Sequence, residues 1–137
     1  MMKNETPVDI REQSPLALAF VGDAVYELLV RSRLVKYHRM QPGKLHAAAV
    51  KYVSAVGQFR AVALLEEHLT EKEQDALRRG KNATKAAVAK HATPEEYRCS
   101  TGFEALLGWL YLQGRQDRIQ ELFDFIWEHF DPEKEQA

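Results

Sequence analysis

Apolar residues recur at intervals of three and four along most of this chain, and no stretch alternates apolar and polar residues for long enough to indicate a strand. The pattern therefore predicts an all-α fold. A lead segment, 1–13, and a polar tail, 131–137, flank one expected domain, 14–130. The helices predicted within it cover about 15–37, 44–56, 58–68, 70–79, 94–112 and a last stretch that ends near 130.

Capping residues support several of these boundaries. Ser14 before Pro15 is a typical helix start, and Thr70 with Glu73 forms a capping-box pattern in which each satisfies a free backbone N–H of the other. Gly80 is expected to end the helix that this box begins. The stretch 80–92 carries small residues and lysines without an apolar face, so we expect a loop or a marginal helix there.

Composition places the chain among ordinary globular proteins, with 45% hydrophobic and 28% charged residues. Its longest apolar runs, 16–21 and 105–112, are much shorter than the roughly 20 residues that a membrane span needs. The N-terminus lacks the apolar stretch of a signal peptide, so we expect a cytoplasmic protein without a membrane partner. The single cysteine, Cys99, excludes an internal disulfide and is expected to be a buried thiol.

Charge is unevenly distributed along the chain, although the formal net charge is only −1. The range 78–98 holds six basic residues against two acidic ones, and the remainder is acidic overall. We call 78–90 the basic segment; its basic side chains are those of Arg78, Arg79, Lys81, Lys85 and Lys90. Such a local concentration of positive charge is typical of a phosphate-binding surface, and a solvated loop is the alternative.

Two predicted helices each carry an acidic residue inside a mostly apolar stretch. Asp23 lies within LALAFVGDAVYELLV, 16–30, and Glu104 lies within GFEALLGWLYL, 102–112. Because both stretches are apolar on nearly every side, we expect the helices to be buried and the carboxylates to be buried with them. A buried carboxylate costs several kcal/mol unless it is paired, hydrogen-bonded or bound to a metal.

A shared metal ion would account for both acids. Gly22 and Gly102 have no side chain, so they would let the two helices approach closely and bring Asp23 and Glu104 together. Carboxylates without nearby histidine or cysteine ligands favour Mg²⁺, or Mn²⁺ in its place. Glu27 lies one helical turn after Asp23 and is a third candidate, as a ligand, a water-holding group or a general base.

Structural roles are the alternative for all three acids. Asp23 and Glu104 could each pair with an arginine, and Glu27 could pair with the arginine four residues later. The candidate arginines are Arg31, Arg60 and Arg98. The five histidines show neither an i, i+4 pair nor the Glu-x-x-His spacing of di-iron bundles, so zinc and redox di-metal sites are disfavoured.

Two stretches together resemble the paired signature helices of the ribonuclease III family: FVGDAVYELLV, 20–30, and STGFEALLGWLYL, 100–112. The resemblance covers about 14–130 and is greater to the short branch known as Mini-ribonuclease III, which also resembles this chain at RRGKNA, 78–83. Two motifs in the same order and separation are more specific than either one. The resemblance implies a ribonuclease III-type helical domain that forms a homodimer with two active sites.

The resemblance also implies the chemistry, which is Mg²⁺-dependent endonucleolytic hydrolysis of each strand of double-stranded RNA. Asp23 and Glu104 match the acidic residues of the two motifs and carry over as catalytic metal ligands. The implied target is the paired ends of the large-subunit (23S) ribosomal RNA precursor, with a large-subunit ribosomal protein as a further candidate partner. The short branch lacks a separate double-stranded-RNA-binding domain, so we expect the basic segment to hold the duplex.

Three positions depart from the larger enzymes of the family. Leu16, Ala19 and Thr101 stand where those enzymes carry further carboxylates, which increases the interest of Glu27 as a substitute. The loss supports an alternative function, a non-catalytic RNA-binding or ribosome-associated scaffold. The two acids kept in apolar helices argue against it, because a scaffold gains nothing from their desolvation.

Overall fold

The computed structural model describes residues 5–84 and 92–133. Over these ranges the chain forms α-helices and short 3-10 helices, and no strand. The α-helices are α1 (Pro15–Tyr37), α2 (Pro42–Val53), α3 (Ala55–Leu65), α4 (Glu71–Ala83), α5 (Pro94–Leu112) and α6 (Gln116–His129). The predicted all-α fold is confirmed.

Side-chain caps begin the helices that carry the site. The Ser14 hydroxyl oxygen accepts a hydrogen bond from the backbone N–H of Ala17 at 3.0 Å, and Pro15 occupies the first turn of α1. Capping boxes at Thr70 and Thr93 begin α4 and α5. These starts agree with the prediction because each depends on a few neighbouring residues.

Two other boundaries differ from the prediction. α4 continues through Gly80, which lies against α5 rather than in a turn; a Cβ built on it would be 2.7 Å from the Cα of Gly102. The break between α2 and α3 falls at Ser54 instead of Gly57. Ser54 caps α3 with its side chain, and the two helical segments meet there at 51°.

α5 is the central helix and packs against α1, α3, α4 and α6. Phe103 and Leu106 on this helix are fully buried, and Tyr26 of α1 meets Phe103 edge to face at 4.9 Å between ring centroids. Cys99 of α5 is buried, as predicted. The helix that carries Glu104 is therefore held from several sides.

Glycines allow α1 and α5 to touch through their backbones. A Cβ on Gly22 would clash with the carbonyl of Glu104, and a Cβ on Gly108 would clash with the carbonyl of Leu18. Gly22 has the predicted role, whereas Gly102 does not. Gly102 faces α4, where a Cβ would lie 2.6 Å from the carbonyl oxygen of Leu77. Gly108 is the glycine of α5 that meets α1.

α1 is buried on one side only, which corrects the expectation that it is surrounded. Its buried residues follow one face and include Tyr26 and Val30. On the opposite side, Phe20 is 83% exposed, Leu28 68% and Val35 64%. We call this side, formed by Phe20, Ala24, Leu28 and Val35, the open face of α1. An apolar sequence therefore indicated burial where the isolated chain leaves its apolar surface uncovered.

Within the described ranges, no single helix has the length and hydropathy to cross a membrane. Only α2 and α3 with the 3-10 turn that follows satisfy these criteria together, and they are bent relative to each other.

Candidate active site

The packing of α1 against α5 brings Asp23 and Glu104 together. Gly22, next to Asp23, abuts the backbone of Glu104, so the two carboxylates extend from the point where the helices touch. Asp23 is a neighbour of Glu104 and raises the pKa of its carboxyl group. The convergence agrees with the prediction. The expected burial of both acids does not, because Glu104 is half-buried and Asp23 is exposed at the edge of the open face.

Glu104 is unfavourably placed for a negative charge. Burial raises the pKa of Glu104 well above the usual glutamate range, and a hydrogen bond from Gln58 opposes that shift. The neighbouring Asp23 and Glu27 raise the pKa further, because a second negative charge beside them is repelled. A cation at this position would reverse the balance, since positive charge favours the ionised carboxylate.

Gln58 is a residue of the site that the sequence analysis missed. Its side chain is almost completely buried, and its Nε2 donates to the carbonyl oxygen of Val53 at 3.0 Å and to Oε2 of Glu104 at 3.2 Å. The only available signal was a glutamine inside AVGQFRAVALL, the otherwise mostly apolar sequence of α3. That signal is weak because a polar residue in an amphipathic helix usually faces solvent.

The candidate arginine partners are engaged elsewhere. Arg31 forms an ion pair with Glu27 at 2.9 Å, Arg60 donates to the backbone carbonyl of Asp131, and Arg98 lies 3.9 Å from Glu95. Within 5–84 and 92–133, no basic side chain forms an ion pair with Asp23 or Glu104. The structural alternative therefore gains no support for these two acids, whereas the predicted pair of Glu27 with Arg31 is present.

Few side chains near Asp23 and Glu104 could bind a metal ion. No group of three or more His, Cys, Asp or Glu side chains is arranged to hold a metal ion within the part of the chain that the structure describes. Two converging carboxylates still fit Mg²⁺, which usually binds one or two protein carboxylates and keeps several of its waters. The two neighbouring carboxylates, of which Glu104 is desolvated by burial, are the observation that suits a small divalent cation.

The basic segment is only partly described. Arg78 is paired with Asp75, and Lys81 lies 3.1 Å from Glu95. Arg79 is exposed and forms no ion pair with any residue in the described ranges. The predicted contacts through Lys85 and Lys90 fall on residues outside those ranges. Two of the three described cations are thus partly neutralised within the chain.

Comparison with known proteins places this architecture in a family. The family model described as Ribonuclease III domain matches residues 16–115. A Mini-ribonuclease 3 from Symbiobacterium thermophilum is 47% identical over 82% of this chain and 89% of its own length. A Mini-ribonuclease 3 from Brevibacillus brevis is 43% identical over 89% of this chain and 91% of its own length.

A solved structure agrees with the helical arrangement. The crystal structure of a protein from Fusobacterium nucleatum matches this chain with a TM-score of 0.79. The two sequences are 27% identical, and the match covers 89% of this chain and 98% of the Fusobacterium chain. The matched range 16–115 includes both signature motifs and all of α1 to α5 except the first residue of α1. The chain therefore belongs to the ribonuclease III family.

Proposed function

We propose that this endoribonuclease of the ribonuclease III type hydrolyses both strands of double-stranded RNA with Mg²⁺ held by Asp23 and Glu104. The observation that carries the proposal is the convergence of these carboxylates at the α1–α5 contact, with no basic partner in the described ranges. A partly buried acid with a raised pKa, such as Glu104, is typical of functional sites. Family membership supports the reaction class.

We assign different roles to the three acids of the site. Asp23 and Glu104 would hold the ion, and Mn²⁺ could substitute for Mg²⁺. When bound, the ion supplies positive charge that stabilises the negative charge developing on the phosphodiester. Glu27, held in place by Arg31, adds a further carboxylate near Glu104 that can orient water or accept a proton.

The direct test is cleavage of a long labelled RNA duplex by native protein, Asp23→Asn and Glu104→Gln with Mg²⁺ and with Mn²⁺. We expect each substitution to reduce cleavage by at least about a thousandfold, or about 4 kcal/mol of activation free energy. Glu128→Gln is the matched control, because Glu128 is an exposed acid on α6. Full activity of either site variant, with native circular dichroism, would contradict the proposal.

The proposal includes a role for the basic segment in holding the duplex. A-form RNA is recognised mainly through phosphates and 2′-hydroxyls, which a basic surface can contact. Arg79 is the described cation most available for this role, because it is exposed. We expect Arg79→Glu to weaken duplex binding and to lower its dependence on salt, whereas Lys51→Glu, an exposed control on α2 that is paired with Glu133, should change neither. Equal affinities of native protein and Arg79→Glu for the duplex at low salt would contradict this role.

The proposal also includes a homodimer through the open face of α1. Phe20 and Leu28 expose large apolar side chains there. Both line a shallow surface depression, which Tyr111 at the end of α5 also lines. Monomers rarely leave such a contiguous apolar patch uncovered. A second copy is the occupant that we propose, because the patch includes Asp23, so pairing of two such faces would also shape the two active sites.

Sedimentation of the native protein and Phe20→Ser tests this assembly. We expect a dimer for the native chain, a shift to monomer for the variant and a matching loss of cleavage. Val8→Ser is the control, because Val8 is 60% exposed and lies outside the open face. A native chain that remains monomeric at micromolar concentration would contradict the dimer.

The finer target proposed is the paired ends of the 23S ribosomal RNA precursor in the cytoplasm, supported by the resemblance of the signature helices to the short branch. A duplex built from the two flanks of 23S RNA can be compared with an unrelated duplex of equal length. Both are assayed with and without purified large-subunit ribosomal proteins. Preferential cleavage at fixed positions supports the target, and equal, unpositioned cleavage contradicts it.

A non-catalytic RNA scaffold is the second candidate, and the small donor set favours it. The same duplex separates the two functions. A native protein that binds the RNA, but cuts it with neither Mg²⁺ nor Mn²⁺, would be a scaffold.

A further inference from the structure

We infer that Gln58 is the positioning residue of the active site, whose side-chain amide fixes the Glu104 carboxylate in the orientation that receives the divalent cation. The inference rests on the proposed function and adds to it a residue outside the two signature motifs. Gln58 lies on α3, whereas Glu104 lies on α5, so the contact joins separate parts of the fold.

The orientation of the amide is set by chemistry. Val53 offers a carbonyl oxygen, which can only accept, so the NH₂ group of Gln58 must face it. The same NH₂ group carries a second hydrogen, and that hydrogen points to Oε2 of Glu104. A flipped amide would place its oxygen against the carbonyl oxygen of Val53, which can only accept. The donor is therefore committed to Glu104.

The backbone around Gln58 is held tightly. The hydroxyl oxygen of Ser54 accepts from the N–H of Gly57 at 3.1 Å and caps α3 one turn before Gln58. A Cβ on Gly57 would overlap the end of α2, since it would lie 2.6 Å from the carbonyl oxygen of Tyr52. The break between α2 and α3 thus sets the position from which the Gln58 side chain reaches α5.

Stability alone does not explain a glutamine at this position. Its Oε1 is buried and finds no hydrogen-bond partner in the described part of the chain. An unpartnered buried acceptor is costly, whereas methionine has a similar shape and carries no such acceptor. The presence of an amide despite this cost fits a role for its NH₂ group as a donor.

Gln58 is also the one side chain in the described ranges that donates a hydrogen bond to the Glu104 carboxylate. The other groups around this carboxylate, Asp23 and Glu27, are acids. Without Gln58, the Glu104 carboxylate would have no side-chain hydrogen-bond donor in the described ranges. Groups that orient metal ligands in this way typically change metal affinity by ten- to a hundredfold when removed.

The experiment is a titration of RNA-free protein with Mn²⁺, followed by electron paramagnetic resonance, for native protein, Gln58→Met and Ser54→Ala. We expect Gln58→Met to bind Mn²⁺ about tenfold more weakly than native protein. We expect cleavage by this variant to recover at high Mn²⁺, so that the metal requirement rises while the saturated rate stays near native. Ser54→Ala, which loosens the same helix start without touching Glu104, should melt at a lower temperature and keep native Mn²⁺ affinity.

Two results would overturn the inference. One is a Gln58→Met protein with native circular dichroism and Mn²⁺ affinity within twofold of native. The other is an equal loss of affinity in Ser54→Ala, which would make the effect one of helix stability. Failure of native protein to bind Mn²⁺ would instead overturn the proposed function and this inference with it.

A measurement on native protein covers the case in which Gln58→Met fails to fold. The side-chain NH₂ resonances of Gln58 should shift during a Mg²⁺ titration with the same midpoint as metal binding. Unchanged resonances at saturating Mg²⁺ would contradict the inference.

Discussion

Two glutamates in this bundle differ in how the protein compensates the negative charge of their carboxylates. Glu73, at the start of α4, is buried and receives a two-point ion pair from Arg118, with both contacts at 2.9 Å, together with the backbone N–H of Thr70. Glu104 on α5 has one donor, the neutral amide of Gln58, and is flanked by acids. Burial opposes the charge of both residues, but the bonds to Glu73 more than compensate, so its pKa falls while that of Glu104 rises.

The difference separates a structural acid from a candidate catalytic acid. Glu73 needs no partner from outside the chain, since both of its oxygens accept hydrogen bonds and Arg118 neutralises its charge. The ion pair with Arg118 also joins α4 to α6. Glu104 lacks a positive partner in the described ranges, and the missing charge is what a divalent cation would supply.

Breaking the satisfied pair should give the largest effect. Arg118→Met leaves the Glu73 carboxylate buried without its partner, so we expect the free energy of unfolding to fall by about 3–5 kcal/mol in urea denaturation. Arg11→Met removes an exposed pair with Asp9 and should cost less than about 1 kcal/mol. Similar losses in the two variants would show that Glu73 does not depend on Arg118.

The backbone contact beneath Glu104 should be the next most sensitive point. Gly22→Ala forces a methyl group against the Glu104 carbonyl, so we expect a loss of about 2 kcal/mol, together with weaker cleavage because α1 and α5 separate. Gly43→Ala is the matched control, because a Cβ there meets nothing within 4 Å. It should leave stability unchanged or slightly raised. Native stability in Gly22→Ala would mean that the two helices are not in close contact.

The smallest effect should appear in the pH dependence of metal-free protein. Because the pKa of folded Glu104 is raised, its stabilising contribution is complete below the ordinary glutamate pKa and is lost as the pH rises through the raised value. Native protein should therefore lose stability relative to Glu104→Gln as the pH rises from the ordinary glutamate value of 4.5 to about 8, by on the order of 1 kcal/mol.

Glu73→Gln should behave in the opposite way, since the stability due to Glu73 is lost as the pH falls through its lowered pKa. Saturating Mg²⁺ should prevent the loss of stability that Glu104 causes at higher pH, because the cation takes the place of the proton. Parallel pH profiles for native protein and Glu104→Gln, measured by thermal melting without metal, would contradict the raised pKa.

Local and pairwise features of this molecule were predictable from the sequence. The caps at Ser14 and Thr70 depend on neighbouring residues, and the meeting of Asp23 with Glu104 followed from the presence of an acid within the apolar stretch of each helix. What could not be predicted depends on which helix faces which. Gly102 meets α4 rather than α1, and Gln58 reaches Glu104 only because the chain bends at Ser54.

The exposure of Asp23 escaped prediction for a different reason. Periodicity shows how much of a helix is apolar, but it does not show whether the same chain covers it. α1 has one face buried by its own domain and one left open. The sequence of a helix that is covered by a second copy would look the same as that of a helix buried in a core.

The open face of α1 has a consequence for symmetry. Asp23 lies at the edge of the apolar strip that includes Phe20 and Leu28, so two such faces pairing with each other would relate the carboxylate pairs by a twofold axis. The backbone of an RNA duplex has local twofold axes of its own, which relate one strand to the other. An enzyme and a substrate that share this axis would present each strand to an identical set of side chains, and neither strand would need a site of its own design.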